Sequence, residues 1–293
     1  MKKILVTGSS GYIGSHLCAK LLKSGYEVYG LDKNRPNAEF DTFLRQNPEY
    51  SFNFMLQDIN NKIALFYSEN FVSGMKFDAV IHLAALVNVG ESELTPIQYY
   101  ITNTNGTMNC LAKIPTDNFI FASTGAAEGC ESAYGISKRA AEDCVVEYCT
   151  KHEPKDYTIF RFYNVIGSAG FSATNPDGLM YNLVKAIDSK EFTIFGNDYD
   201  TVDGTCIRDY VHVMEIVEAL MMAINEPANG KESLGHGVGR SVKQIAELFK
   251  EVNLVDFEIK YGPRRKGDLE SSVLESVSKY MKDLFPIEVL LKL

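Results

Sequence analysis

With 293 residues, 45 % of them apolar, the chain is long enough for one large α/β domain, or a large and a small one, around a sizeable core. Its formal net charge of −9 argues against nucleic acid and anionic membrane surfaces as partners, so an anionic ligand must be met locally, by a few arginines and by backbone N–H groups. Six cysteines without a CxxC pair or paired metal spacing predict reduced thiols and no metal site in a cytoplasmic protein, and neither a signal-like start nor an apolar run long enough to span a bilayer is expected.

The first strand is predicted over Lys3-Ile-Leu-Val-Thr7, and Ser15 to Leu22 has helical spacing. Between them lies Gly8-Ser-Ser-Gly11-Tyr-Ile-Gly14. A strand, a glycine-rich turn and a helix start make a pyrophosphate site. The glycines let the backbone approach the phosphates, and the helix start offers free N–H groups and its positive dipole end. The next apolar run, Glu27 to Leu31, closes on Asp32, at the distance expected of a carboxylate that binds a ribose 2′-hydroxyl. The pattern predicts a dinucleotide site, for NAD rather than NADP, because Asp32 would repel a 2′-phosphate.

Further strands are predicted at 51–56, 77–83, 118–122 and 157–161, with helices near 60–70, 96–113 and 134–152. This alternation implies a doubly wound parallel sheet with helices on both faces and its ligand edge at the strand C-terminal ends. Gly167 to Gly178 reads as a long connection and a domain boundary. A helix near 178–189, a strand at 192–195, a helix at 213–224, a strand near 232–235 and helices near 241–251 and 273–283 follow. The expected division is a dinucleotide-binding domain over 1–166, to which 205–240 returns, and a smaller α/β substrate domain over 167–204 and 241–293.

Tyr134-Gly-Ile-Ser-Lys138 is the second informative motif. On a helix, Tyr134 and Lys138 lie one turn apart on one face. An ammonium beside a phenol stabilises the phenolate and lowers its pKa, so the tyrosine can exchange a proton with a substrate hydroxyl. Ser123-Thr124 ends a predicted strand, where a hydroxyl can orient the same substrate oxygen. Alone, Tyr-x-x-x-Lys reads as a surface pair. After a dinucleotide turn and a Ser-Thr strand end, it reads as catalytic.

These motifs resemble the extended short-chain dehydrogenase/reductase family of NAD-dependent nucleotide-sugar enzymes, most closely its UDP-hexose 4-epimerase branch, over nearly the whole chain. Val6 to His16 is similar to the family's N-terminal fingerprint, and Val80 to Leu86 with Val89 to Ser92 to its nicotinamide-side strand and turn. Tyr99-Tyr100, Asn103, Asn105-Gly106 and Arg161-Phe-Tyr-Asn164 fit the same pattern. Ile194 to Tyr199, Asp203 to Val213 and Pro263-Arg-Arg-Lys-Gly-Asp268 resemble the epimerase's uridine-diphosphate segments.

The resemblance implies a Rossmann-type fold with a smaller C-terminal α/β substrate domain. It implies that NAD is held by Gly8, Gly11, Tyr12, Ile13, Gly14, Asp32, Asn34, Asp58, Ile59, Leu83, Ala84, Ala85, Asn103, Tyr134, Lys138 and Tyr163. Arg208 and Arg265 would hold the diphosphate, Asp268 a ribose hydroxyl, Asn164 a phosphate or sugar oxygen and Phe195 the nucleoside, with Leu179, Thr193, Tyr210 and Ser272 completing the substrate set. A homodimer built from the helices near 96–113 and 134–152 is implied as well.

The implied reaction is inversion of carbon 4 of a UDP-hexose through a 4-keto sugar. Tyr134 is then the acid/base, Lys138 its electrostatic partner, and Thr124 with Ser123 the orienting hydroxyls. Ser272 stands where epimerases restricted to plain hexoses carry a tyrosine, so N-acetylated sugars are expected substrates too. The chain departs from the pattern in its short Glu128–Ala133 connection, in Glu128 itself, and in Val87 where a lysine is usual. A 4,6-dehydratase would carry two acids after the Ser-Thr strand end, whereas Gly125 and Ala126 stand here. A decarboxylase lacks a positive signature, and a non-catalytic nucleotide-binding regulator would not need Tyr134 and Lys138.

Overall fold

Short apolar runs bounded by turns form most strands of the larger sheet, and periodic segments between them form the longer helices. In a computed structural model, which describes residues 1–61, 75–153, 155–172, 178–265, 267–282 and 284–292, the order begins β1 (Lys3–Thr7), α1 (Tyr12–Lys23), β2 (Glu27–Asp32), α2 (Ala38–Gln46), β3 (Phe52–Leu56), β4 (Ala79–His82) and α3 (Val89–Leu94). It continues with α4 (Pro96–Tyr99), α5 (Gly106–Lys113), β5 (Asn118–Thr124), α6 (Ala126–Gly129), α7 (Ala133–Glu147), β6 (Asp156–Phe162), β7 (Asn164–Ile166), α8 (Leu179–Ser189) and β8 (Glu191–Phe195). The last elements are β9 (Ile207–His212), α9 (Val213–Ala223), β10 (Gly230–Leu234), β11 (Gly239–Ser241), α10 (Val242–Asn253), β12 (Glu258–Gly262), β13 (Ser271–Ser272) and α11 (Ile287–Leu290).

Two units are distinguished, Met1–Arg161 with Val217–Glu232, and Phe162–Ile216 with Ser233–Leu293. The first is built on a seven-stranded sheet of order β10-β6-β5-β4-β1-β2-β3, a Rossmann-type doubly wound arrangement. β1 pairs in parallel with both β2 and β4, so strand order reverses beside it. β4 and β5 are also parallel, with His82 opposite Phe121. Parallel pairing brings Thr7, Asp32, His82 and Thr124 to the same end of the sheet, next to the reversal point where such sheets bind ligands. Leu5, Val80, Phe119, Phe121, Val145 and Ile159 are fully buried in its core.

The second unit has β9 at its centre. β11 pairs antiparallel with β9, while β7 and β13 pair parallel to it. β8 and β12 form a separate parallel pair. Leu183, Ile194, Ile245 and Phe249 anchor this unit's core.

The helical segment expected over 96–113 forms as α4, a π-helical stretch over Tyr100–Asn105, and α5. That over 134–152 forms as α7 followed by a π-helical turn over Tyr148–His152. The expected helix near 60–70 falls largely on residues 62–70, outside the described residues. The helix expected near 273–283 does not form among the described residues of that stretch. Its apolar spacing is helical, but its donors are taken elsewhere: Ser271 and Ser272 pair with β9, the Leu274 N–H goes to the Asp209 carboxylate at 3.3 Å, and the Tyr280 N–H goes to the Ser278 hydroxyl at 3.2 Å.

Among the elements that were not anticipated are the strand β9 and the helix α2. The latter is announced locally by Asn37, whose side chain accepts the Phe40 N–H at 2.8 Å as an N-cap. Among the described residues, no helix is long and apolar enough to cross a membrane.

Candidate active site

The glycine turn is fixed by steric exclusion. Gly8 has φ +73°, and a Cβ there would meet the Ala84 backbone nitrogen at 2.7 Å. A Cβ at Gly14 would lie 2.1 Å from the Gly8 carbonyl oxygen. Gly11 is the N-cap of α1 and offers no capping side chain, so the first-turn N–H groups are left for an anion. Tyr12 and Ile13 open that turn, half-buried. Asp32 ends β2 and accepts the Ser10 N–H at 3.0 Å and the Asn34 N–H at 2.9 Å. A bare helix start, a cradle only glycine can line and an adjacent carboxylate fit a dinucleotide with a free ribose 2′-hydroxyl.

The rest of the expected cofactor set falls into two groups. Asp58 accepts the Asn60 N–H at 2.9 Å beyond β3, with Ile59 buried beside it. Leu83, Ala84 and Ala85 follow β4 on a half-buried loop. Asn103 clamps that loop: its oxygen accepts the Leu86 N–H at 2.8 Å, while its amide nitrogen donates to the Leu86 carbonyl and to Ser137 Oγ, both at 3.0 Å. Tyr163 belongs to the second unit, where its N–H donates to the Leu234 carbonyl at 3.1 Å.

α7 begins at Ser132, whose side chain accepts the Gly135 N–H, and Glu93 of α3 accepts the Ala133 N–H at 3.0 Å. These caps fix the first turn, which carries Tyr134. The Tyr134 hydroxyl is hydrogen-bonded to Thr124 at the end of β5, and its ring meets Tyr99 edge-on. Lys138 is buried, its ammonium 4.1 Å from the centre of the Phe121 ring.

The expectation that Lys138 depresses the Tyr134 pKa is corrected here. Burial pushes the phenol up to about 12, only partly opposed by the Thr124 hydrogen bond. Burial also pulls Lys138 down to about 7, against the attraction of Glu142. A neutral phenol beside a neutral amine holds as many protons as a phenolate beside an ammonium. Burial works against the charged form of each group.

Ser123 and Thr124 part company. The Ser123 hydroxyl donates to Glu142 at 2.6 Å, leaving Thr124 as the partner of Tyr134. Glu142, one turn beyond Lys138, was missed in the sequence, although its spacing on the helix was visible. It has no solvent exposure and takes a forked pair of bonds from Arg161, at 2.9 and 2.8 Å, and an ion pair from Lys231 at 2.9 Å. Burial alone would raise its pKa, but the bonds from Arg161, Ser123 and Lys231 hold it below the usual carboxylate range. Arg161 also reaches Glu128 at 2.8 Å, so the residue standing at a usual tyrosine position is engaged by charge.

The second unit carries the candidate nucleotide set. Arg208 lies on β9, its guanidinium 3.8 Å from the Asp268 carboxylate. Arg265 is exposed, with its guanidinium 4.0 Å from the centre of the Phe195 ring. Ser272 pairs with Arg208 across β13 and β9. Among the described residues the buried Tyr210 hydroxyl has no hydrogen-bond partner, and Asn164 donates to the Asp209 carbonyl at 3.2 Å. Leu179 opens α8, and Thr193 projects from β8, exposed. Among the described residues, no group of three His, Cys, Asp or Glu side chains could hold a metal ion.

Comparison with known proteins places this arrangement. The model of the NAD dependent epimerase/dehydratase family matches residues 4–237. A UDP-glucose 4-epimerase of Caenorhabditis elegans is 32 % identical, the match covering 92 % of this chain and 88 % of that one. The solved UDP-glucose 4-epimerase of Bifidobacterium longum, in complex with NAD+ and UDP, superposes with a TM-score of 0.86 at 25 % identity, over 98 % of this chain and 95 % of that one. The UDP-Glc/GlcNAc 4-epimerase of Campylobacter jejuni gives a TM-score of 0.78 at 30 % identity, over the whole of this chain and 97 % of that one.

Proposed function

The chain belongs to the NAD dependent epimerase/dehydratase family, and from that premise we propose how it works as a UDP-hexose 4-epimerase. What NAD supplies when bound is a reversible acceptor for the carbon-4 hydride, so inversion passes through a 4-keto sugar with no net redox change. Gly8, Gly11 and Gly14 cradle its pyrophosphate and Asp32 takes the ribose hydroxyls.

Tyr134 exchanges the proton of the sugar 4-hydroxyl. Thr124 holds the phenol oxygen and orients the substrate oxygen beside it. Lys138 must be the ammonium whenever Tyr134 is the phenolate, and the switch needs no proton from solvent, only the redistribution between phenol and amine described above. Ser123, occupied by Glu142, holds the strand end instead of touching substrate. Arg208 and Arg265 hold the diphosphate, Asp268 the uridine ribose and Phe195 the nucleoside. A firm grip on that end leaves the keto sugar free to turn without escaping.

The observation that carries this reading is the placing of Tyr134 beside Thr124, at the same end of the sheet as the glycine turn. What favours epimerisation over 4,6-dehydration is the composition of the strand end. The strand end offers Gly125 and Ala126 where two acids would be needed, and Glu128 is already bonded to Arg161.

The proposal extends to N-acetylated UDP-hexoses, because Ser272 beside Arg208 leaves space that a tyrosine would fill. It extends to a homodimer, because Leu94, Ile97, Ile101, Met108 and Ile136 present apolar side chains to solvent on α3 to α5 and α7. It includes a cytoplasmic location, which suits six free thiols. The test is product analysis by NMR after incubation with UDP-glucose and UDP-N-acetylglucosamine. Interconversion at carbon 4 is expected, and a 4-keto-6-deoxy product or no turnover would refute the assignment.

A further inference from the structure

His82 sits at the end of β4 with 1 % exposure, and both of its ring nitrogens are engaged. Nδ1 lies 2.6 Å from Thr7 Oγ1, and Nε2 lies 3.0 Å from Thr107 Oγ1. The directions of these bonds follow from their neighbours. The Thr107 hydroxyl donates to the Asn103 carbonyl at 2.7 Å, so its proton is spent and it accepts from Nε2–H. Thr7 Oγ1 accepts the Ala84 N–H at 3.3 Å and gives its own proton to Nδ1. Only the neutral tautomer with its proton on Nε2 satisfies every group. A proton on Nδ1 would set two N–H donors on Thr7 Oγ1 and leave the threonine proton without this acceptor. Burial acts in the same direction and pulls His82 down to about 3; Lys138 is the charged group that adds to the effect. The ring stacks on Phe121, against which the Lys138 ammonium also rests.

The relay joins the two halves of the chemistry in this unit. Thr7 immediately precedes Gly8, whose turn packs against Ala84. Asn103 carries the chain of bonds onward, donating to Ser137 Oγ, which donates to the Tyr134 carbonyl at 2.8 Å. Thr104 adds a bond to the Ser137 carbonyl at 3.0 Å.

We propose that His82 is a positioning residue for the epimerase: fixed as the Nε2–H tautomer, it ties the glycine turn to the helix that carries Tyr134 and Lys138. The proposal rests on the reading of Tyr134 and Lys138 as the reacting pair. Its loss would show as slower chemistry, because the nucleotide end of the substrate is held by other residues.

The test has two parts. A long-range 1H–15N spectrum of the holoenzyme should show His82 with Nε2 protonated and Nδ1 bare, unchanged from about pH 5.5 to 9. A proton on Nδ1, or titration in that range, would overturn the proposal. In kinetics, His82→Phe keeps a ring but neither bond, and is expected to lower kcat at least about tenfold with the UDP affinity unchanged. His82→Gln keeps a donor able to reach Thr107 and should recover part of that loss. If His82→Phe unfolds, the Thr107→Val variant, which removes the Nε2 acceptor, should lower kcat in the same sense. Wild-type kcat in a folded His82→Phe or Thr107→Val protein would overturn the proposal. Full activity in a Tyr134→Phe control would instead refute the underlying reading, while leaving the tautomer assignment to the spectrum.

Discussion

The two candidate sites are built on opposite terms. Around Tyr134, in the first unit, the polar groups are buried and spoken for: Ser123 by Glu142, Asn103 by Leu86 and Ser137, His82 by two threonines. In the second unit Arg265 is exposed over an aromatic ring, and the contact between Arg208 and Asp268 is long. Acid–base chemistry needs a geometry fixed before substrate arrives, and a low-polarity surrounding that shifts pKa values. An anion anchor needs charged donors that are not already consumed, because a guanidinium in a tight buried pair has less to offer a phosphate. The contrast separates residues whose loss slows turnover from residues whose loss weakens binding.

The sharpest way to break it is Tyr134→Phe. Turnover should fall by about 10²–10⁴, while UDP affinity, measured by calorimetry, stays near wild type. A parallel loss of affinity would mean that the two regions do not divide the labour. Glu142→Gln comes next. Among the described residues it leaves Arg161 with Glu128 as its one carboxylate and strips Lys231 of its closest partner, and an uncompensated buried ion typically costs about 3–5 kcal/mol. Urea unfolding should show that loss. Arg264→Ala in the second unit, which breaks an exposed pair with Asp198, should leave the unfolding midpoint unmoved.

How far the sequence revealed these regions depends on how local their chemistry is. The glycine turn, Asp32, Tyr134 and Lys138 each announce themselves within a short stretch, and Thr124 closes β5 where its apolar run ends. Three features were illegible because they depend on distant partners. The stretch near 273–283 carries a helical pattern, yet Asp209 and β9 take donors that a helix would use. The Ser123 hydroxyl turns to Glu142 and Arg161, which no spacing near Ser123 foretells. The upward shift of Tyr134 comes from burial, which a motif does not state.

The pH dependence of stability tests that burial. With the dinucleotide stripped, Lys138 holds fewer protons folded than unfolded between about 7 and the ordinary lysine value of 10.5. Its contribution to stability therefore rises with pH across that window and is least favourable below it. Lys138→Met removes the penalty, so the variant should gain on wild type at pH 6 relative to pH 9 in urea unfolding. A gain independent of pH would mean that Lys138 is charged in the folded chain throughout. A smaller effect, on binding, belongs to the anchor. Arg265→Ala should weaken UDP by about 1.5–3 kcal/mol, the cost of one charge-assisted contact, with no change in stability. An unchanged affinity would place the diphosphate elsewhere.

The finest test of the division is Ser272→Tyr, because it changes neither the acid–base pair nor the charged anchor. Ser272 is half-buried and lies next to Arg208 in the strand pairing, so a ring there would crowd the space beside that arginine. A plain hexose needs less of that space than one carrying a 2-N-acetyl group, which must also swing when the keto sugar turns. The ring should therefore act on one substrate and spare the other. Steric discrimination of this kind amounts to about 10–200-fold. The ratio of UDP-N-acetylglucosamine to UDP-glucose turnover should fall at least tenfold in Ser272→Tyr, with UDP affinity and UDP-glucose turnover close to wild type. If both activities fall together, the substitution has disturbed Arg208 and the site is an anchor residue. If neither changes, the acetyl group passes elsewhere and substrate breadth is set by other residues.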